Sequence, residues 1–313
     1  MNIQRILLIL GKGVLIILAI ILTLALLTLA VVYFGFLNKN DRKLINLNAQ
    51  TIKQGDNNRK YRVYMPRGYD KSKSYPMLMM IHGYRDYGRL MGLYTGAASL
   101  AERENLILVL PEGSKKKGIL MPKSWNATIC CDEAHDQKLE DSKLLFNITK
   151  QIEANYSVDT KKEYVAGFSN GAMMTQRLVV DYPDQYKAMA VVGGAIGGYN
   201  GLIGPPDKSI NALFINGEKD TTVPPKGRET DDGYEWLPRS RMIGAWTKDC
   251  TESDKTDDDI KTLVKYSGCD NGSVVEAELY HKLAHTWPGA RHRHRQDDIA
   301  YGTERMWQFF KSI

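Results

Sequence analysis

The stretch Glu163-Tyr-Val-Ala-Gly-Phe-Ser-Asn-Gly-Ala-Met-Met-Thr-Gln-Arg-Leu178 decides the fold class of this 313-residue chain. Its first half, Glu163 to Phe168, has the short apolar run of a buried strand. Its second half, from Ala172 to Leu178, has helical composition. Between them lies Gly167-Phe-Ser-Asn-Gly171, which fits G-x-S-x-G. That pattern alone is weak, because Gly and Ser are common. Set between a strand and a helix, it predicts a nucleophile elbow: a sharp turn that projects a serine hydroxyl from its apex, beside a helix N-terminus. The flanking glycines suit such a turn because they carry no Cβ to clash at strained backbone angles. The alternative reading of the same residues is a plain strand-to-helix turn with a capping serine.

Outward from the elbow, apolar runs alternate with segments of helical spacing. Tyr61–Met65, Met77–Ile81, Leu106–Leu110, Met189–Val192, Ala212–Ile215 and Val274–Tyr280 read as strands. Residues 92–105, 140–155, 170–182, 239–248 and 300–311 read as helices. This alternation predicts an α/β fold with a mostly parallel central sheet and helices on both faces. In such sheets the site gathers at the carboxyl ends of the strands.

The N-terminus is different. From Gly13 to Leu37 there are 25 residues without a charge, rich in Leu, Ile, Val and Ala. A bilayer core of ~30 Å needs ~20 helical residues, and a cleavable signal peptide has an apolar region of only ~7–15. Residues 1–37 are therefore expected to form a signal anchor, one transmembrane helix tethering the chain to a membrane; if cleaved, the remainder would be secreted. Residues 38–58 are polar and Asn/Lys-rich and read as a linker, which leaves 59–313 as one catalytic domain. Lysine and arginine flank the apolar run on both sides, so the positive-inside rule does not orient it. Four cysteines, all in the globular part, suit an oxidising compartment and place that part outside the cytoplasm. Cys250 and Cys269 flank a Lys/Asp-rich segment read as a loop, where a disulfide would contribute ~3 kcal/mol. Neighbouring Cys130 and Cys131 are closer than disulfides prefer, so either could pair elsewhere. The net charge of +6 is spread out, and its densest run, Arg291 to Arg295, reads as a solvated face rather than a nucleic-acid site.

A serine hydroxyl is a poor nucleophile without a base. In elbow folds the chain order is serine, acid, histidine. Of the six histidines, four follow Ser169. His285, in the loop His285-Thr-Trp-Pro-Gly289 after the last strand, is the expected base. His281 ends that strand and reads as packing or solvent-facing. His292 and His294 have i, i+2 spacing but no accompanying ligand pattern, so no metal site is expected. Asp220, after the run Leu213-Phe-Ile-Asn-Gly217, is the expected acid, and Glu218 is the alternative. The oxyanion hole needs two backbone donors. They are expected at Asn170, next to the nucleophile, and at Tyr84, in the loop after Met77–Ile81. Gly83 lets that loop approach substrate, and His82 reads as structural. Trp125 and Trp287, in loops near the site, are candidate substrate-pocket residues, with plain packing as the alternative.

Taken together, these motifs resemble the polyhydroxybutyrate depolymerase-type esterases and their feruloyl-esterase-like relatives. The resemblance covers residues 60–310. It rests on Tyr61-Arg-Val-Tyr-Met-Pro66, Ile81-His-Gly83, Ser124-Trp-Asn126 with Cys130-Cys131, Gly167-Phe-Ser-Asn-Gly-Ala-Met-Met174, Asn216-Gly-Glu-Lys-Asp220 with Val223-Pro224, and His285-Thr-Trp-Pro-Gly289. It implies an α/β-hydrolase fold, a triad of Ser169, Asp220 and His285, and no metal or organic cofactor. Many members have Cys after the His-Gly pair, where this chain has Tyr84. Polymer-degrading members often carry a polymer-gripping module, which is not expected after the terminal helix here. The expected substrates are thus short acyl, hydroxyalkanoate-oligomer, feruloyl or acetyl-sugar esters. A peptidase or amidase on the same triad, or a non-catalytic tethered binding protein, are the rival readings.

Overall fold

The computed structural model describes residues 3–36, 39–115, 123–128, 130–198, 209–229, 235–290 and 302–313. The chain divides into two units, Met1–Lys43 and Leu44–Ile313.

In the first unit, helix α1 runs from Ile3 to Phe36. Its described side chains, residues 12–28, include an exposed apolar row from Val14 to Leu27. That row covers roughly 21 Å at ~1.5 Å per residue, against a ~30 Å hydrocarbon core. Among the described residues no helix is long and apolar enough to cross a membrane. The expected transmembrane helix is therefore not found there.

The second unit is built on a ten-stranded sheet. In chain order its strands are β1 (Gln50–Gln54), β2 (Asn57–Tyr64), β3 (Tyr75–Ile81), β4 (Ile107–Pro111), β5 (Val158–Phe168), β6 (Ala188–Val192), β7 (Asn211–Gly217), β8 (Cys250–Asp257), β9 (Lys261–Cys269) and β10 (Val275–Tyr280). Their spatial order is β1-β2-β4-β3-β5-β6-β7-β10-β9-β8. Strands β4, β3, β5, β6, β7 and β10 are parallel. An antiparallel pair closes each side. The central strands are near-continuous Val, Ile, Leu, Met and Ala because both faces are covered.

Alternate residues of β5 show the two layers. Val165 enters a core with Met79, Val191, Leu144, Ile148 and Met173. Tyr164 faces the other way, stacked on Phe310 at 4.7 Å and edge-on to Trp307. The first layer holds helices Asp141–Asn155 and Asn170–Asp181; the second holds Gly88–Tyr94, Ala97–Arg103 and Gly302–Lys311.

Three expectations change. Residues 38–58 are not simply a linker: residues 39–45 are helical, and β1 pairs with β2 through a tight turn at Gly55, whose φ is +55°. The single helix expected over 92–105 is broken at Gly96, φ +71°, into two. The segment between Cys250 and Cys269 is a hairpin, β8–β9, rather than a loop. Its two cysteines face each other in register, 3.8 Å apart at Cα, and are disulfide-bonded. Exposed charges along β8 hid the strand from a hydrophobic pattern, because this edge has no core to face.

Candidate active site

The elbow is built as the motif requires. Strand β5 ends at Phe168, and the helix starting at Asn170 leaves immediately. Ser169 between them has φ +54° and ψ −121°, a region that non-glycine residues occupy at a cost of ~1–3 kcal/mol. Its N–H donates to Val192 O at 2.9 Å, and its carbonyl accepts from Ala172 and Met173. The glycines are sterically forced. A Cβ on Gly167 would lie 2.2 Å from Gly171 O, and one on Gly171 would lie 2.1 Å from Ile81 O.

The turn carries Ser169 Oγ to 2.9 Å from His285 Nε2. His285 Nδ1 lies 2.7 Å from Asp220 Oδ2. The other carboxylate oxygen, Asp220 Oδ1, accepts N–H groups from Thr222 at 2.9 Å and Val223 at 2.7 Å. Asp220 is buried with every oxygen occupied, so its carboxylate is fixed to orient the imidazole. The loops bearing acid and base are laced together: Glu218 N–H donates to Tyr280 O, and Lys219 N–H donates to Leu283 O. Gly217 permits this, since a Cβ there would stand 2.1 Å from Leu283 O.

Glu218, the alternative acid, points elsewhere. It bonds His281 Nδ1 at 3.1 Å and is exposed. His281 also touches Asp257 and the Asp258 carbonyl. The Glu218 hydrogen bond is the main reason its pKa lies above the usual histidine range. His292, His294 and the Arg291–Arg295 run lie outside the described residues.

Gly83 lies against the nucleophile: a Cβ there would meet Phe168 O at 3.3 Å and Ser169 Cβ at 3.4 Å. The loop of Tyr84 therefore borders Ser169 on one side. On the other, Asn170 N–H belongs to the first helical turn, where amides lack intrahelical acceptors. His82 is buried and accepts the Gly113 N–H on Nε2 at 2.9 Å. Its proton therefore sits on Nδ1, 2.7 Å from Gly83 O. Burial pushes its pKa down to about 4, so the ring is neutral.

Trp125 and Trp287 do not line a substrate pocket; the packing alternative holds. Trp125 is 0 % exposed and Trp287 1 %. The indole N–H of Trp287 donates to Thr303 Oγ1 at 3.1 Å, which moors the His285 loop to the C-terminal helix. Two site residues escaped the sequence reading. The Phe168 ring lies 5.0 Å from that of His285, and Gly193, φ +59°, leaves room for both. A glycine pair after β6 was the available signal.

The elbow, the parallel sheet and the serine–acid–histidine order define an α/β-hydrolase-fold protein. The Esterase family model matches residues 53–232, and the chain belongs to that family. It is 28% identical over 181 residues to the "Probable feruloyl esterase C" of Aspergillus terreus, covering 56% of this chain and 59% of that one. It is 32% identical over 113 residues to the "Probable acetylxylan esterase A" of Aspergillus clavatus, covering 36% of this chain and 35% of the relative. The chain thus spans less than two thirds of either relative's length. Among solved structures, an acetyl xylan esterase from Aspergillus awamori superposes with a TM-score of 0.57 at 16% identity, covering 85% of this chain and all of that one. That likeness is one of fold. The family match and these relatives support the feruloyl-esterase-like side of the resemblance; neither relative is described as a polyhydroxybutyrate depolymerase.

Proposed function

We propose that this protein hydrolyses carboxylic esters through an acyl-enzyme on Ser169. The carrying observation is the unbroken relay from Ser169 Oγ through His285 to Asp220, at 2.9 and 2.7 Å, on a strained elbow. His285 Nε2 takes the Ser169 proton as Oγ attacks the ester carbonyl. Asp220 holds the imidazole and offsets its positive charge. The tetrahedral oxyanion rests on the N–H groups of Asn170 and Tyr84. His285 then protonates the leaving alcohol, and water, activated by the same imidazole, releases the acid.

Feruloyl or acetyl esters of sugars are the proposed substrate class, supported by the relatives' names. Hydroxyalkanoate oligomers are a weaker second class. Residues 13–37 are proposed as a membrane anchor, supported by their 25 uncharged residues and the exposed apolar row on α1. The Cys250–Cys269 disulfide supports a catalytic domain outside the cytoplasm.

The test is initial rates of the detergent-solubilised full chain on acetyl, butyryl, hydroxybutyryl and feruloyl esters, beside an amide analogue. The reading expects ester turnover, greatest on acetyl or feruloyl sugars. Faster cleavage of the amide would make it a peptidase or amidase instead.

A further inference from the structure

The oxyanion hole proposed above is made by two segments far apart in sequence, and Trp125 touches both. Its indole N–H donates to His82 O at 2.9 Å, just before the Gly83–Tyr84 loop. Its backbone N–H donates to Asn170 Oδ1 at 2.8 Å, and its carbonyl accepts from Asn170 Nδ2 at 3.1 Å. The second contact is two-point, so it fixes the plane of the Asn170 side chain as well as its position. Asn170 is itself buried. The His82 carbonyl that the indole grips also lies where a Cβ on Gly171 would come within 2.4 Å. The end of β3 and the start of the elbow helix are thus pressed together, with Trp125 hydrogen-bonded to each.

A buried indole N–H must find an acceptor, and it has no lone pair to offer in return. That need explains one bond. It does not explain why all three converge on the segments supplying the two donors. The Tyr84 side is braced further: the His82 ring, 5.1 Å from the indole, spans from Gly113 N–H to Gly83 O.

We infer that Trp125 is a positioning residue that holds the Tyr84 and Asn170 backbone donors at the spacing an oxyanion requires. It touches no substrate, being fully buried. The inference rests on the esterase reading and deepens it. A misplacement of ~1 Å at a reacting centre can cost ~10²-fold in rate, so a residue hydrogen-bonded to both donor-bearing segments has leverage on turnover.

The test uses the full chain with a soluble acetyl ester and a phenylboronate inhibitor. Ser169 Oγ adds to boron, its proton passes to His285 Nε2, and the tetrahedral adduct places an oxygen in the hole. Trp125→Phe removes the indole donor and keeps an aromatic ring. Asn170→Ala removes the amide clasp and keeps the backbone N–H. Each is expected to lower kcat by about 10-fold or more, with KM within twofold and boronate affinity reduced in proportion to kcat. A purely structural role would lower the thermal midpoint without that matched loss. If Trp125→Phe does not fold, Asn170→Ala decides alone. Unchanged kcat and boronate affinity in the folded variants would overturn the inference while leaving the esterase reading intact. A Ser169→Ala variant as active as wild type would overturn both.

Discussion

Ser169 sits at φ +54°, and its Oγ meets an imidazole that a buried carboxylate already holds. The three side chains therefore form one relay, with His285 bonded to both of the others. Ser169→Ala is expected to lower kcat by at least about 10⁴-fold, since truncating a triad member leaves only binding and the oxyanion hole. Asp220→Asn should cost about 10³–10⁴-fold, because an amide cannot hold the same imidazole tautomer. Both are read as initial rates on a nitrophenyl ester. The three residues were legible in sequence because each follows a strand in a fixed order. The tryptophans were not. Loop position near a motif reads as pocket lining, and only tertiary burial shows that Trp125 and Trp287 face inward.

At the scale of elements, the elbow works because strand, turn and helix leave no room for a methyl group. Gly171→Ala would put a Cβ 2.1 Å from the carbonyl of Ile81. It is expected to cost about 3 kcal/mol or more by urea unfolding, far beyond an ordinary helix Gly→Ala change. Strand β5 carries a second constraint in Glu163. This carboxyl is buried, bonded to Gln185, and faces Glu153, which Lys150 pairs. Burial first, then the Glu153 charge, raises its pKa to about 8. The native state therefore keeps a proton that the unfolded chain releases above its ordinary value of 4.5. This contribution is complete below pH 4.5 and is lost as pH rises through 8. Glu163→Gln cannot lose it. Its stability relative to wild type should rise by on the order of 2 kcal/mol between pH 5 and pH 8. Parallel stability curves for the two proteins would show that Glu163 is not protonated in the fold. The sequence showed Glu163 as the start of a strand. It could not show Glu153 opposite, because that contact joins a helix to a strand across the core layer.

For the whole molecule, the parallel centre was legible and the edges were not. Most of the six parallel strands carry continuous apolar runs where both faces are covered, so they stand out, and β10 alternates Val275, Ala277 and Leu279 with glutamates. The hairpin β8–β9 carries polar and charged residues and reads as a loop, while at the other edge only the second half of β2, from Tyr61, reads as a strand and β1 reads as linker. The β8–β9 hairpin is fastened at its base by Cys250–Cys269. Replacing both cysteines with serine should lower stability by about 2–3 kcal/mol. Turnover should stay within twofold, since β10 separates the hairpin from β7 and the Asp220 loop. Urea midpoints and initial rates check the two halves separately. Whether Ser169 is the activated nucleophile is read by intact-mass spectrometry after reaction with a fluorophosphonate. One phosphonyl group per wild-type chain is expected, and none on Ser169→Ala. A wild-type chain that stays unlabelled, or an alanine variant labelled to the same extent, would contradict it.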